Sequence, residues 1–135
     1  MTHSEKVLEF LNKAQVYYLA TVEGDKPKCR PIGFAMEADG KIYFGVGTHK
    51  NVYRQLQANP NVEICACTGE KFLRYYGKAV FDTNPALMEK ACEIMPLIRE
   101  MYTEQNGRKL GMFHLTDATA DFCNISGAVE ESIKV

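Results

Sequence analysis

Short runs of β-branched and aromatic residues, each ended by a turn signal, recur through this chain and limit it to an antiparallel, β-rich fold. Tyr17-Tyr18-Leu19-Ala20-Thr21-Val22 is the first such run, closed by the turn Glu23–Pro27. Lys28 to Met36 is the second. Asp39-Gly40, a strong two-residue hairpin signal, then leads into Lys41–Val46. These three runs predict a meander over Tyr17–Val46. Pro31 removes a ladder donor from the second run, so that strand belongs at an edge or carries a bulge. Val62–Cys67 and Phe72–Asp82 read as the next two strands, with Gly77 marking a bulge or a close approach. Met112–Leu115 and Ala118–Ile125 read as the last two, and the tail Ser126–Val135 is expected to fray. Consecutive hairpins pair antiparallel, and a closed or nearly closed barrel hides their edges.

Helical periodicity appears in three places. Val7, Leu8, Leu11 and Ala14 recur at helical spacing after Ser4, predicting a helix to about Lys13. A second helix runs from about His49 to Ala58 and is stopped by Asn59-Pro60. A third starts at Asn84-Pro85, with Asn84 as cap, and is broken at Pro96 before continuing over Leu97–Tyr102. The 135 residues suit one domain, 1–135, large enough to bury a core without disulfide staples. Net charge is −1 with acids and bases interspersed, which argues against an extended nucleic-acid surface. The chain shows neither a bilayer-length apolar run nor a leader, so a cytoplasmic protein without a membrane partner is expected.

The segment Gly45-Val46-Gly47-Thr48-His49-Lys50-Asn51-Val52-Tyr53-Arg54 carries the chemistry. It reads as a strand end, a glycine-rich turn and a helix start, where backbone N–H groups and the positive end of the helix dipole face one way. A cation at a helix start is a mild misfit unless an anion compensates it, and Lys50 is such a cation. Arg30 lies in the preceding strand-like run; if that run pairs with Lys41–Val46, Arg30 and Lys50 can converge on one phosphate. The alternative is a loop whose basic groups are simply solvated. Cys29, Cys65, Cys67, Cys92 and Cys123 are an odd set without the spacing of a secreted scaffold. They are expected to be reduced, buried and inert, and no metal site is legible from them or from His3, His49 and His114.

The order of these pieces resembles the pyridoxamine 5′-phosphate oxidase-like family of FMN-binding split β-barrels. The resemblance is carried by Tyr18-Leu19-Ala20-Thr21, Arg30-Pro31-Ile32-Gly33-Phe34, Lys41-Ile42-Tyr43-Phe44, Thr48-His49-Lys50, Arg74-Tyr75-Tyr76-Gly77-Lys78-Ala79 and Phe122-Cys123-Asn124-Ile125-Ser126-Gly127. It implies a mainly β (α+β) fold, a six- to seven-stranded antiparallel split barrel of Greek-key-like topology with peripheral helices. It further implies that Arg30 and Lys50 grip the FMN phosphate, with Thr48 and Asn51 adding donors. Pro31, Ile32 and Gly33 would run along the isoalloxazine edge, and Gly45 and Gly47 would admit the ring close to the backbone. Family members are dimers with each flavin between subunits, so Phe72, Arg74 and Tyr75 would reach the partner's flavin.

The chain also departs from the oxidases proper. It has no tryptophan, stops before their basic terminal segment, and lacks a serine-rich substrate-phosphate site between Pro85 and Asn106. These departures argue against vitamin B6 chemistry. They bring the chain nearer to the small flavin reductases, including nitroimidazole-resistance reductases. The implied function is an FMN-dependent oxidoreductase passing electrons from NAD(P)H to a small acceptor such as a nitroaromatic, a quinone or oxygen. Flavin carries that chemistry itself, so no acid–base dyad is required and no catalytic side chain is singled out. The alternative is a non-catalytic flavin- or haem-binding, electron-transfer module of the same fold.

Overall fold

The computed structural model describes every residue, Met1–Val135, as eight strands and four helices. Helix α1 (His3–Ala14) begins where the Thr2 hydroxyl accepts the Glu5 N–H at 3.1 Å, and it buries Val7 and Leu11. Strands β1 (Tyr17–Glu23) and β2 (Lys26–Ile32) form one hairpin, and β3 (Ala35–Ala38) and β4 (Lys41–Gly47) form another. The second turns at Asp39-Gly40, whose φ angles of 52° and 75° are those of a primed hairpin turn. Helix α2 (Asn51–Ala58) leads to β5 (Asn61–Thr68) and β6 (Lys71–Asp82). Helices α3 (Pro85–Ile94) and α4 (Leu97–Met101) precede β7 (Leu110–Asn124) and β8 (Val129–Lys134).

All strand pairs are antiparallel, in the order β2-β1-β5-β6-β7-β4-β3, with β8 added to β7. This mostly antiparallel eight-stranded sheet has the architecture of the split barrel, with one strand more than expected. The expected meander is corrected. The run Lys28–Met36 is two strands, broken at Gly33-Phe34, and its halves lie at opposite ends of the sheet order. The corner forms because Met36 and Ala38 are buried in a separate cluster, away from the core on which Ile32 packs. Pro31 does sit on an edge strand, where its missing N–H costs nothing.

Two further expectations are corrected at the C-terminal end. The last two predicted strands are one, β7, carrying a left-handed residue at Asp117 (φ 49°). Opposite it, Gly77 marks the register shift in β6, and a Cβ there would come within 2.7 Å of the Thr116 carbonyl. The tail is strand rather than fray. β4 covers β7 only over Leu110–Phe113, which leaves the same edge of Thr119–Cys123 open, and β8 fills it.

Alternation divides the apolar residues between two layers. Leu19, Phe44, Ile64, Leu73 and Phe113 meet in the main core at 0% exposure. Their neighbours Tyr43 and Met112 point the other way and pack with Leu87, Ala91 and Ile98 of α3 and α4. The β4–β7 pair is therefore covered on both faces, and α3–α4 stands beside the turn that follows β4. Cys92 and Cys123 are buried, as expected. Cys29 and Cys67 are exposed and Cys65 half-buried, a correction that follows from the outward register of Cys29 and Cys67. All five thiols are free, and no three His, Cys, Asp or Glu side chains are grouped to hold a metal ion. No helix is long and apolar enough to cross a membrane.

Candidate functional site

Arg30 stands opposite Leu19 in the β1–β2 ladder and shares its inward face, so it is not a solvated edge residue. Its Nη1 donates to the Leu19 carbonyl at 3.1 Å and to the Thr21 hydroxyl at 2.7 Å, and its Nη2 donates to Gln55 Oε1 at 2.7 Å. The Thr21 hydroxyl in turn donates to the same Gln55 oxygen at 2.6 Å, with Thr21 2% and Gln55 4% exposed. Every acceptor is neutral, and no carboxylate pairs with the guanidinium. Burial accordingly pushes the Arg30 pKa below the ordinary arginine value. Of the five donors of a guanidinium, three bonds occupy Nη1 and half of Nη2, which leaves Nε and one Nη2 hydrogen for a ligand.

Helix α2 supplies the second part. Lys50 is its N-cap and makes no side-chain cap bond. The Lys50 N–H turns back to the Gly47 carbonyl at 3.0 Å, while the N–H groups of Asn51 and Val52 have no acceptor. The Lys50 ammonium is in no ion pair. This set of bare amides, an ammonium and a pinned guanidinium suits a phosphate dianion. The strands carrying Arg30 and Lys50 do not pair, which corrects the expected route. Arg30 instead reaches α2 directly, at Gln55, five residues past Lys50 and roughly 7–8 Å along the helix axis.

A cleft of about 220 Å³ brings Gly33 and Gly45 together with Phe34, Ile98, Tyr102 and Leu110, an apolar lining that suits a flat ring. A smaller one of about 200 Å³ lies beside Lys50, with His49, Glu100, Tyr102 and Arg108 on its walls. The glycines serve closer neighbours than expected. A Cβ on Gly45 would sit 2.9 Å from Leu110, and one on Gly47 would sit 2.6 Å from the His49 ring and 3.3 Å from the Tyr102 hydroxyl. Their small size thus admits the chain's own side chains at the cleft wall.

The remaining expected residues fall elsewhere. Thr48 is half-buried and its N–H is tied to the Lys109 carbonyl at 2.9 Å, while Asn51 is exposed and accepts from Arg54 at 3.4 Å. Pro31 faces outward and Ile32 packs against the core. Phe72 is half-buried opposite Cys67 and Cys123. Arg74 is exposed and bidentate to Glu63, at 2.9 and 3.1 Å, and that carboxylate raises its pKa. Tyr75 is 2% exposed among Phe44 and the core, and burial pushes its hydroxyl up to about 12. The expectation that Tyr75 reaches a partner's flavin is therefore corrected, because its inward register buries it. Sequence reasoning missed Thr21 and Gln55. The signal was there: Thr21 follows Tyr17 and Leu19 on the inward face, and Gln55 interrupts the apolar stripe of Val52 and Leu56.

Comparison with known proteins agrees with this architecture. No curated protein sequence matches the chain. A NimC/NimA family protein from Clostridium acetobutylicum superposes with a TM-score of 0.87 at 30% identity, over 98% of this chain and 95% of that one. A pyridoxamine 5′-phosphate oxidase-related, FMN-binding protein from Nostoc punctiforme gives 0.65 at 15% identity, over 95% and 86%. A haem-binding protein from Mycobacterium smegmatis gives 0.71 at 15% identity, over 99% and 58%. The last two likenesses establish the fold alone. The pyridoxamine 5′-phosphate oxidase family model matches residues 3–122, nearly the whole barrel. The chain belongs to the pyridoxamine 5′-phosphate oxidase family.

Proposed function

We propose that this protein binds FMN and passes electrons from NAD(P)H to a small acceptor such as a nitroaromatic, a quinone or oxygen. The observation that carries the reading is Arg30, a partly buried cation held by neutral acceptors and left without a carboxylate. Such a group is costly to desolvate unless an external anion completes it. Lys50 and the free amides of Asn51 and Val52 would neutralise the other side of the same phosphate. Flavin supplies the two-electron chemistry when bound. The chain's own contribution is then position and solvent exclusion. Gly33, Phe34 and Leu110 form an apolar wall for the ring, and Tyr102 and Ile98 shield it from water.

The proposal includes a homodimer with each flavin at the subunit interface, across the sheet face that carries Phe72 and Arg74. The test is the visible spectrum of the purified protein with added FMN, followed by anaerobic titration with NADH and with NADPH. A flavin doublet that bleaches with either nicotinamide supports the oxidoreductase. A doublet that persists with both restricts the protein to flavin carriage, and a Soret band in place of the doublet makes it a haem protein. A colourless protein that leaves added FMN free refutes the reading altogether.

A further inference from the structure

A cavity of about 510 Å³ opens beside the apolar cleft at Gly33 and Gly45, between α3, the end of α4 and the start of β7. Its apolar wall is Met88, Tyr102 and Leu110, and its charged groups are Glu104, Arg108 and Lys109. That size is ordinary for a small-molecule site. The cavity shares walls with the site already described. Tyr102 and Leu110 also line the apolar cleft at Gly33 and Gly45, while Tyr102 and Arg108 also line the cleft at Lys50.

The loop that forms the charged wall is held firmly. The Asn106 side chain accepts the N–H of Thr103 at 3.1 Å and of Arg108 at 2.9 Å, and donates to the Met101 carbonyl at 3.0 Å. The Gly107 N–H donates to the Thr103 carbonyl at 3.1 Å, with the left-handed φ of 69° that suits glycine. The Lys109 carbonyl fixes the far end by accepting from Thr48. None of these bonds uses the Arg108 guanidinium or the Lys109 ammonium, and neither enters an ion pair. A preorganised loop therefore presents two unpaired cations and one carboxylate, Glu104, around an apolar floor. The excess of one positive charge matches a monoanion, and the walls match a ligand that is otherwise apolar.

We propose that this cavity is a second ligand site, for a small aromatic molecule bearing a single carboxylate. Arg108 and Lys109 take the carboxylate, and Tyr102, Met88 and Leu110 take the ring. The site rests on the flavin reading in one respect: if the neighbouring cleft holds FMN, the acceptor this cavity would favour is a nitroaromatic or quinone that also carries one carboxylate, the nitro or quinone group taking the two electrons. Tyr102 and Leu110, shared between the two cavities, would then separate the ligand from the flavin.

The test is titration with benzoate and with its neutral isostere benzamide, followed by amide chemical shifts, on the protein with and without FMN. Benzoate is expected to move Gly107, Arg108, Lys109 and Leu110. Arg108→Gln, at an exposed position, is expected to weaken it about tenfold, the loss of one charge-assisted hydrogen bond. Inorganic phosphate is expected to move Asn51 and Val52 instead. Benzamide binding as tightly as benzoate, shifts confined to other surfaces, or indifference to Arg108→Gln would overturn the proposal. Arg108-dependent benzoate binding by a protein that ignores FMN would keep the cavity and remove the flavin. FMN binding without benzoate binding would do the reverse.

Discussion

Arg30 and Arg74 both sit in strands of one sheet, yet the fold treats them oppositely. Arg74 pairs across β5–β6 on the outward register, where Glu63 grips it with two parallel bonds and raises its pKa. Arg30 lies on the inward register beside Leu19, meets only neutral oxygens, and has its pKa lowered by burial. One is complete within the chain. The other is held in place but not neutralised. A charge that the protein positions and does not pair is a charge set out for something else.

The largest test of that contrast is Arg30→Ala. Losing its bonds to a bound phosphate is expected to weaken FMN by about 2–3 kcal/mol, measured by quenching of flavin fluorescence on titration. Arg30→Lys should not restore the loss, since an ammonium cannot hold Leu19, Thr21 and Gln55 while also reaching the ligand. Undiminished affinity in Arg30→Ala would place Arg30 with Arg74 as a structural cation. Next comes Gln55→Leu. It removes the acceptor shared by the buried Thr21 hydroxyl and Arg30, so it is expected to lower stability by about 2 kcal/mol in denaturant unfolding. It should also weaken FMN through a misplaced Arg30. Full stability in that variant would mean the network is not what holds the guanidinium.

The contrast also marks where local reading of the sequence succeeds. Caps, turns and breakers are short-range, so Asn84 before Pro85, the Asp39-Gly40 hairpin and the stop at Asn59-Pro60 were legible. The bulge at Gly77 was legible too, because only glycine fits against Thr116. Long-range pairing was not. Nothing local shows that Gly33-Phe34 carries the chain from one end of the sheet to the other, or that the polar tail Val129–Lys134 completes an open edge of β7. The same gap hid the geometry of the site. The residue types Arg30 and Lys50 could be chosen from the sequence, but Arg30 reaches α2 through Thr21 and Gln55, which a pairing of adjacent strands would not produce.

Lys50 offers a smaller, sharper test. It stands at the open end of α2, exposed and with no partner, so solvent and salt screen it where they do not screen Arg30. Lys50→Ala is expected to weaken FMN by about 1 kcal/mol at low ionic strength, and the difference from the parent should shrink in high salt. A loss as large as that of Arg30→Ala, and indifferent to salt, would mean the ammonium is enclosed on ligand binding rather than left at the rim.

Arg74→Ala carries the smallest expected effect and bears on the comparison from the other side. Glu63 and Arg74 are both solvent-accessible, and the variant leaves an exposed carboxylate that water can serve. A surface pair of this kind contributes about 0.5 kcal/mol, because Coulomb attraction in water barely exceeds the cost of fixing two long side chains. Stability in denaturant should fall by no more than that, and FMN affinity should change far less than in Arg30→Ala. The sequence resemblance points the other way, since it puts Arg74 against the flavin of a second subunit. A large loss of FMN affinity in Arg74→Ala, at a protein concentration where the parent is dimeric, would show that Glu63 shares this guanidinium with the partner's phosphate. The two arginines would then differ only in which subunit's flavin they serve.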